Sequence, residues 1–237
     1  MRAKIVLDSA VKPSLKSVTG FIYYIIGLSD KVYAKDLHDN GTIYKKANKY
    51  GKVENKKVKP FVFSHPYYND LGECCIKVSS LDPKFLLNFV RGIQKATNTP
   101  SVAGDIKPKS IKLLPDAAVK FNENGIMNRE MFMLSPVVVK GHDGSYIDKY
   151  DGLEERLKNN LRDKYAAVKG AMPNNDFFKI DFKDKECKYK RIDDKDVPVF
   201  LTRFTLSASQ EMFEAAYFLG LGAKNGMGFG MVEIHNN

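Results

Sequence analysis

The sequence contains no tryptophan, three cysteines and four histidines in 237 residues, and no long hydrophobic run. Each shortage excludes something. Three cysteines cannot all pair: Cys74 and Cys75 are adjacent on a strand-like segment and point to opposite faces, while Cys187 stands alone. No Cys-x-x-Cys or Cys/His spacing suggests zinc, so no metal is expected and a reducing cytoplasm is the expected compartment. No apolar stretch approaches the roughly 18 residues of a membrane helix. The opening MRAKIVLDSA meets Asp8 before an apolar segment can form, so a secretory leader is not expected. The aspartates and glutamates are dispersed, whereas a two-metal nuclease wants them clustered.

In tryptophan's place, 15 Phe and 12 Tyr supply bulk, and 43% hydrophobic residues suffice for a packed core. The length suits one large domain or two of about 100–150 residues. The net charge is +10, and half of it lies between Lys35 and Lys59, where eight lysines face only Asp36, Asp39 and Glu54. Such a patch attracts phosphate backbones by counterion release. The bland alternative is a solvated lysine-rich loop. Tyr33, Tyr44 and Tyr50 interleave with the lysines and favour nucleic acid over a membrane surface, because bases stack on aromatic rings.

Hydrophobic rhythm predicts a strand at Ala3–Ser9, then a helix from about Ser17 to Leu28 with Val18, Phe21, Ile22, Ile25 and Ile26 on one face. A short helix over Asp30–His38 follows, and the tract from Asp39 to Lys57 reads as a mobile loop. PFVFS and CCIKVSS are strand-like, Asp82 is placed to cap a helix, and SIKLLP closes this half. The second half repeats the order. FMLSPVVVK (Phe132 to Lys140) is a predicted strand, GHDGSY a turn and Leu153–Val168 an amphipathic helix. FFKIDF and VFLTRFTL flank a charged hairpin, and a helix through Met212, Ala215, Ala216 and Leu219 leads to GFGMVEI. Two βαββαβ units fit this rhythm, so the expected fold class is α+β with tandem ferredoxin-like domains, residues 1–118 and 119–237.

The loop GLGAKNGMGFG runs from helix to strand. A dinucleotide fingerprint needs strand, glycines, helix and then an acidic residue about 20 positions on. A P-loop needs Gly-Lys-Ser/Thr, and Met227 follows Gly226. Both nucleotide readings fail on context. What remains is a backbone able to approach another chain closely, with N–H groups able to cradle an anion. A turn that merely avoids strain is the alternative.

That C-terminal motif, preceded by GFIYYII, DLHDNG and KPFVFS in order and by FMLSPVVVK, resembles the RAMP superfamily. Within it, the chain resembles the CRISPR-associated endoribonucleases that cut precursor CRISPR RNA within its repeats, the sixth in the Cas numbering. The resemblance implies cleavage without metal or other cofactor, through attack of the ribose 2′-hydroxyl, leaving a 5′-hydroxyl and a 2′,3′-cyclic phosphate or its 3′-phosphate counterpart. Such chemistry needs a base, an acid and a cation for the charged phosphorane. His38, in Leu37-His38-Asp39-Asn40-Gly41, matches the family's catalytic histidine, and histidine suits proton transfer near neutral pH. A histidine that only caps its helix is the alternative.

Tyr23 matches a tyrosine that positions or deprotonates the nucleophile, with Tyr24 adjacent. Lys59 matches the phosphorane-stabilising lysine, with Lys56 and Lys57 near enough to substitute or to bind RNA. The loop residues Gly220, Gly222, Lys224, Asn225, Gly226, Gly228 and Gly230 are candidate RNA contacts. His65 follows the FVFS strand, His142 lies in a turn and His235 in the tail. The hairpin Lys183–Asp196, with six basic and five acidic residues, reads equally as a stem-flanking or a soluble element. Repeat RNA is the implied partner, read mainly at single-stranded bases. Partnership with other Cas proteins of an interference complex and a homodimer stay open. The rival readings are a RAMP relative that binds RNA as a scaffold without cutting, and a general two-RRM protein. The latter lacks the aromatic RNP strand.

Overall fold

The computed structural model describes residues 1–47, 53–97, 106–115, 117–141, 143–184, 186–192 and 194–235. The chain divides into two units: Met1–Asp116 together with Gly226–Gly228, and Ala117–Asn225 together with Phe229–Asn237.

In the first unit, β1 (Arg2–Leu7) leads into α1 (Leu15–Ser29) and α2 (Lys31–Asp39). A hairpin of β2 (Thr42–Ala47) and β3 (Val53–Val58) follows, then β4 (Phe61–Phe63), β5 (Tyr67–Tyr68), β6 (Cys74–Ser80), α3 (Pro83–Thr97) and β7 (Pro108–Leu114). The main sheet runs β4-β6-β1-β7, antiparallel throughout, with β5 also on β6. Read from the β7 edge, its main strands stand in the order 4-1-3-2, the ferredoxin-like arrangement.

The alternation of β1 sends Ala3, Ile5 and Leu7 into the core beneath the helices. The five α1 residues expected on one face are all buried there. Ser14 caps α1 by accepting from Ser17 N, and Asp30 both ends α1 and starts α2, its side chain accepting from Tyr33 N. A Cβ on Gly92 of α3 would collide with the Ile25 carbonyl, so glycine is what lets α3 lie so close to α1.

Over its described residues, much of the tract expected to be a mobile loop is instead the β2–β3 ladder, paired from Thr42↔Val58 to Ala47↔Val53. Its strands leave Ile43, Lys45, Val53, Lys56 and Lys57 exposed, so the alternation that marks a half-buried strand never appears in the sequence. Tyr50 lies outside the described residues. Tyr33 proves to be a core residue, buried with its hydroxyl donating to Asp82 Oδ2, and cannot stack on a base.

In the second unit, β8 (Ile126–Met133), α4 (Leu153–Lys169) and β9 (Phe178–Phe182) precede a hairpin, β10 (Cys187–Ile192) with β11 (Lys195–Phe200). Then come β12 (Arg203–Ser209), α5 (Gln210–Glu214) passing into a π-helical turn (Ala215–Leu219), and β13 (Val232–Ile234). The sheet order β13-β8-β12-β9 is again 4-1-3-2, so the chain carries tandem ferredoxin-like folds.

Two predicted strands are redrawn. The ladder expected over Phe132–Lys140 ends at Met133: Leu134 and Ser135 donate to Met231 O, and Val137, Val138 and Lys140 form isolated bridges. Pro136, which has no N–H to give, lies where the ladder stops. The segment expected as one strand, Val199–Leu206, breaks at Leu201–Thr202, where the chain leaves β10 for β8 and β9.

Candidate active site

The sequence Leu37-His38-Asp39-Asn40-Gly41 builds the end of α2. Leu37, with Tyr33 and Ala34, is buried on the inner face, which turns His38 outward. Gly41 takes φ +65° and donates to Leu37 O, and a Cβ there would lie 2.6 Å from Val58 O. Glycine therefore stops the helix and lets the chain double back into β2. The His38 imidazole is 67% exposed, and its Nδ1 lies 2.9 Å from Asp39 Oδ1. The contact with His38 holds the Asp39 carboxyl below its ordinary range. An ionised carboxylate only accepts, so Nδ1 carries the hydrogen and the neutral ring presents the Nε2 lone pair outward.

His38 is not the group that caps α2. Lys59, between β3 and β4, donates from Nζ to Leu37 O (2.5 Å) and His38 O (2.6 Å). A cation on the last carbonyls suits the negative end of a helix. Burial is the largest influence on this ammonium and lowers its pKa, partly opposed by Asp39. Tyr23 completes the group: its ring meets His38 edge-on at 5.0 Å between centroids and Phe61 at 5.9 Å, with Lys59 Nζ 5.8 Å from the ring centre. Burial pushes the Tyr23 phenol up to about 12, so it stays protonated at neutral pH and has a hydrogen to donate. Tyr23, rather than Tyr24, is therefore the tyrosine beside His38. A shallow hollow of about 440 Å³ runs along α2 past Lys31, Lys35, Asp36, Asp39 and Asn40.

Lys56 pairs with Glu54 at 3.2 Å, and Lys57 Nζ reaches Asn40 Oδ1 at 3.4 Å. Neither is drawn into the His38 group as Lys59 is.

The glycines of the C-terminal loop are packed rather than open. Gly220, Gly222, Gly226, Gly228 and Gly230 are all buried. A Cβ on Gly222 would strike the Val138 carbonyl, and one on Gly230 the Leu221 carbonyl. Asn225, also buried, donates from Nδ2 to Leu221 O (3.0 Å) and Phe229 O (2.9 Å), closing the loop upon itself. Lys224 is half-exposed with φ +60°. Beneath the loop lies a residue that sequence reasoning missed: Lys164 of α4, 3% exposed, donates to Gly220 O and Gly222 O at 2.6 Å each. Burial holds its pKa well below the ordinary lysine value. Its signal was a lysine spaced with Leu157 and Leu161 on an apolar helix face. Asp39 was missed too, although it adjoins His38 in sequence.

His65 is half-buried just after β4, His142 lies outside the described residues, and His235 packs edge-on to Phe132 at 6.4 Å. Among the described residues, no three His, Cys, Asp or Glu side chains gather as metal ligands. No helix there is long and apolar enough to cross a membrane.

Two ferredoxin-like folds, a histidine group closing α2 and a C-terminal glycine loop are the features on which the resemblance to RAMP proteins rests. Residues 119–234 match the family described as CRISPR associated protein Cas6, C-terminal. The chain is 27% identical over 177 residues to CRISPR-associated endoribonuclease Cas6 1 of Methanocaldococcus jannaschii, a match covering 68% of this chain. The chain covers 63% of that relative, under two thirds of its length. The solved structure of the product of a Cas6-related gene from Pyrococcus furiosus shares the fold at TM-score 0.74 and 21% identity, covering 100% of this chain and 99% of that one. A RAMP protein binding different RNA substrates does so at TM-score 0.70 and 19% identity, with both chains covered fully. The chain is thus similar to Cas6 proteins, through the family match over residues 119–234 and through the Methanocaldococcus jannaschii relative.

Proposed function

We propose that the protein is a metal-independent endoribonuclease that cleaves CRISPR repeat RNA to give mature guide RNAs. The observation that carries this reading is the outward imidazole of His38, its Nδ1 engaged by Asp39 and its helix end held by Lys59 beside Tyr23. Nε2 takes the proton of a ribose 2′-hydroxyl, the 2′-oxygen attacks the adjacent phosphorus, and the bond to the 5′-oxygen breaks. The leaving oxygen takes up a proton from solvent to become a 5′-hydroxyl, His38 returns its proton to solvent, and the upstream fragment keeps a 2′,3′-cyclic phosphate.

Lysine has three N–H donors, and two of those on Lys59 are held by carbonyls, so one remains for the non-bridging oxygens as charge builds on the phosphorane. Tyr23, whose phenol burial keeps protonated, is placed to donate a hydrogen bond to the bound RNA. Lys56, Lys57 and Lys224 contribute phosphate contacts, and the glycines and Asn225 give the loop its shape. The endoribonuclease activity of the Methanocaldococcus jannaschii relative and the RNA binding of the RAMP neighbour support an RNA substrate.

The test is cleavage of a CRISPR repeat RNA in excess EDTA by wild type and His38→Ala, with a second substrate carrying a 2′-deoxy sugar at the cut. Cutting by wild type alone, with binding retained elsewhere, is expected. Binding without cutting by every protein makes this a scaffold, and loss of cutting in EDTA means that the reaction uses metal.

A further inference from the structure

Most glycines of the C-terminal loop explain themselves by conformation: Gly220, Gly222, Gly228 and Gly230 all have positive φ. Gly226 does not, so alanine could adopt its backbone without strain. The constraint at Gly226 is spatial. Within the first unit, to which it belongs, a Cβ at this position would stand 3.1 Å from Lys59 Cγ, 3.3 Å from Lys59 Cβ and 3.5 Å from Phe61 Cζ. Carbon atoms pack best about 3.5–4.0 Å apart, so the lysine stem would have to give way. The Gly226 carbonyl is tethered in turn, 3.2 Å from Thr19 Oγ1, a hydroxyl that also lies 2.9 Å from Leu15 O. Thr19 precedes Tyr23 by one helical turn on α1, so one face of that helix anchors the loop and carries the tyrosine of the site.

We propose that Gly226 is a positioning residue for Lys59: its bare Cα forms the wall against which the Lys59 stem lies, and this contact fixes where the ammonium points. The stem determines the reach of Nζ. Pushed aside, the ammonium keeps its charge but meets the developing phosphorane in the wrong place, and small misplacements at a reacting centre are expensive. This inference rests on the catalytic reading of Lys59. It differs from an RNA-contact role for Gly226, in which a Cβ would obstruct the substrate rather than move the lysine.

A double-mutant cycle separates the two. Wild type, Gly226→Ala, Lys59→Ala and the double variant are compared in single-turnover cleavage of a repeat RNA that the wild type cuts. Affinity is measured on the same RNA with a 2′-deoxy sugar at the cut, and folding by thermal melting. Gly226→Ala is expected to slow cleavage roughly tenfold with affinity within about twofold of wild type, and to change nothing further in the Lys59→Ala background. Multiplying effects overturn the proposal, as does a loss of affinity that matches the loss of rate, or a Gly226→Ala protein that cuts at the wild-type rate. If Lys59→Ala itself cuts normally, the catalytic reading of Lys59 has failed instead. Should Gly226→Ala melt early, Thr19→Val, which removes the hydroxyl shared by the Gly226 and Leu15 carbonyls and leaves Gly226 itself intact, carries the same cycle. A smaller slowing, again absent without Lys59, is then expected, and an undiminished effect without Lys59 overturns the proposal.

Discussion

The Asp39 carboxylate lies 2.9 Å from Nδ1 of His38, on the next residue of the same helix end. That adjacency decides which imidazole nitrogen faces solvent with a lone pair. His38→Ala is therefore expected to slow single-turnover cleavage about 10²–10⁴-fold, the usual worth of a positioned acid–base group, while RNA affinity stays near wild type. Asp39→Asn offers Nδ1 an amide in place of a carboxylate and weakens the tautomer preference. Where the analogous carboxylate is buried, this change costs about 10⁴-fold. Here the pair is more than half exposed and water can replace the partner, so a loss on the order of tenfold is expected. A rate as low as that of His38→Ala would show that Asp39 does more than orient the ring.

Tyr23 sits beside His38 with its phenol pushed up to about 12 by burial. A phenolate base would demand ionisation near neutrality, and burial works against that. Cleavage should consequently show no step assignable to Tyr23 below about pH 11. Tyr23→Phe should lower the rate by a similar factor at every pH from 6 to 9. A slope in that range that vanishes in Tyr23→Phe would make the tyrosine a base.

In the proposed mechanism Lys59 must be charged to stabilise the phosphorane, and burial lowers its pKa from the ordinary 10.5. The rate therefore falls as pH rises through the shifted value, with a midpoint below 10.5. Lys59→Arg, whose guanidinium stays charged, should abolish that alkaline limb even if the longer fork cuts slowly. The comparison is read as enzyme-dependent cleavage over a His38→Ala blank, which removes the contribution of hydroxide.

Much of this was legible in the sequence because the rules involved are local. The five apolar positions of α1 lie on one stripe and are the five that are buried. Asp82 reads as a helix cap and its Oδ1 accepts from Lys84 N at the start of α3, and the order of strands and helices in both halves survives as tandem ferredoxin-like sheets. The β2–β3 hairpin escaped because a two-stranded ribbon exposed along much of its length carries no alternation. Tyr33 was misplaced because an aromatic between lysines looks accessible until its helix is packed. Within the site, the histidine showed itself by its neighbours in the chain. The bonds from Lys59 to the end of α2 depend on residues more than twenty positions apart, and no spacing rule reaches that far.

Lys164 lies beneath the glycine loop in the opposite situation to a surface lysine: fully enclosed, its amine donates to Gly220 O and Gly222 O. Burial lowers its pKa well below that of the unfolded chain, so between the folded value and about 10.5 the unfolded state binds more protons than the folded one. Stability from this group accordingly rises with pH through that window and is lost as pH falls through the folded value, at most about 1.4 kcal/mol per pH unit. Even the neutral amine keeps two N–H donors, enough for the two carbonyls, so deprotonation does not strip the loop of its bonds. Lys164→Met should flatten the dependence by removing the titrating group. It should also cost stability at the alkaline end, where Gly220 O and Gly222 O lose their donors while buried, a penalty of about 1–3 kcal/mol for each carbonyl left unsatisfied. Urea titrations of both proteins at several pH values between 6 and 10 decide it. Parallel curves would mean that Lys164 does not titrate differently in the folded and unfolded chains over this range, whereas curves that diverge as pH rises, wild type above, place the loop's stability on this one buried amine.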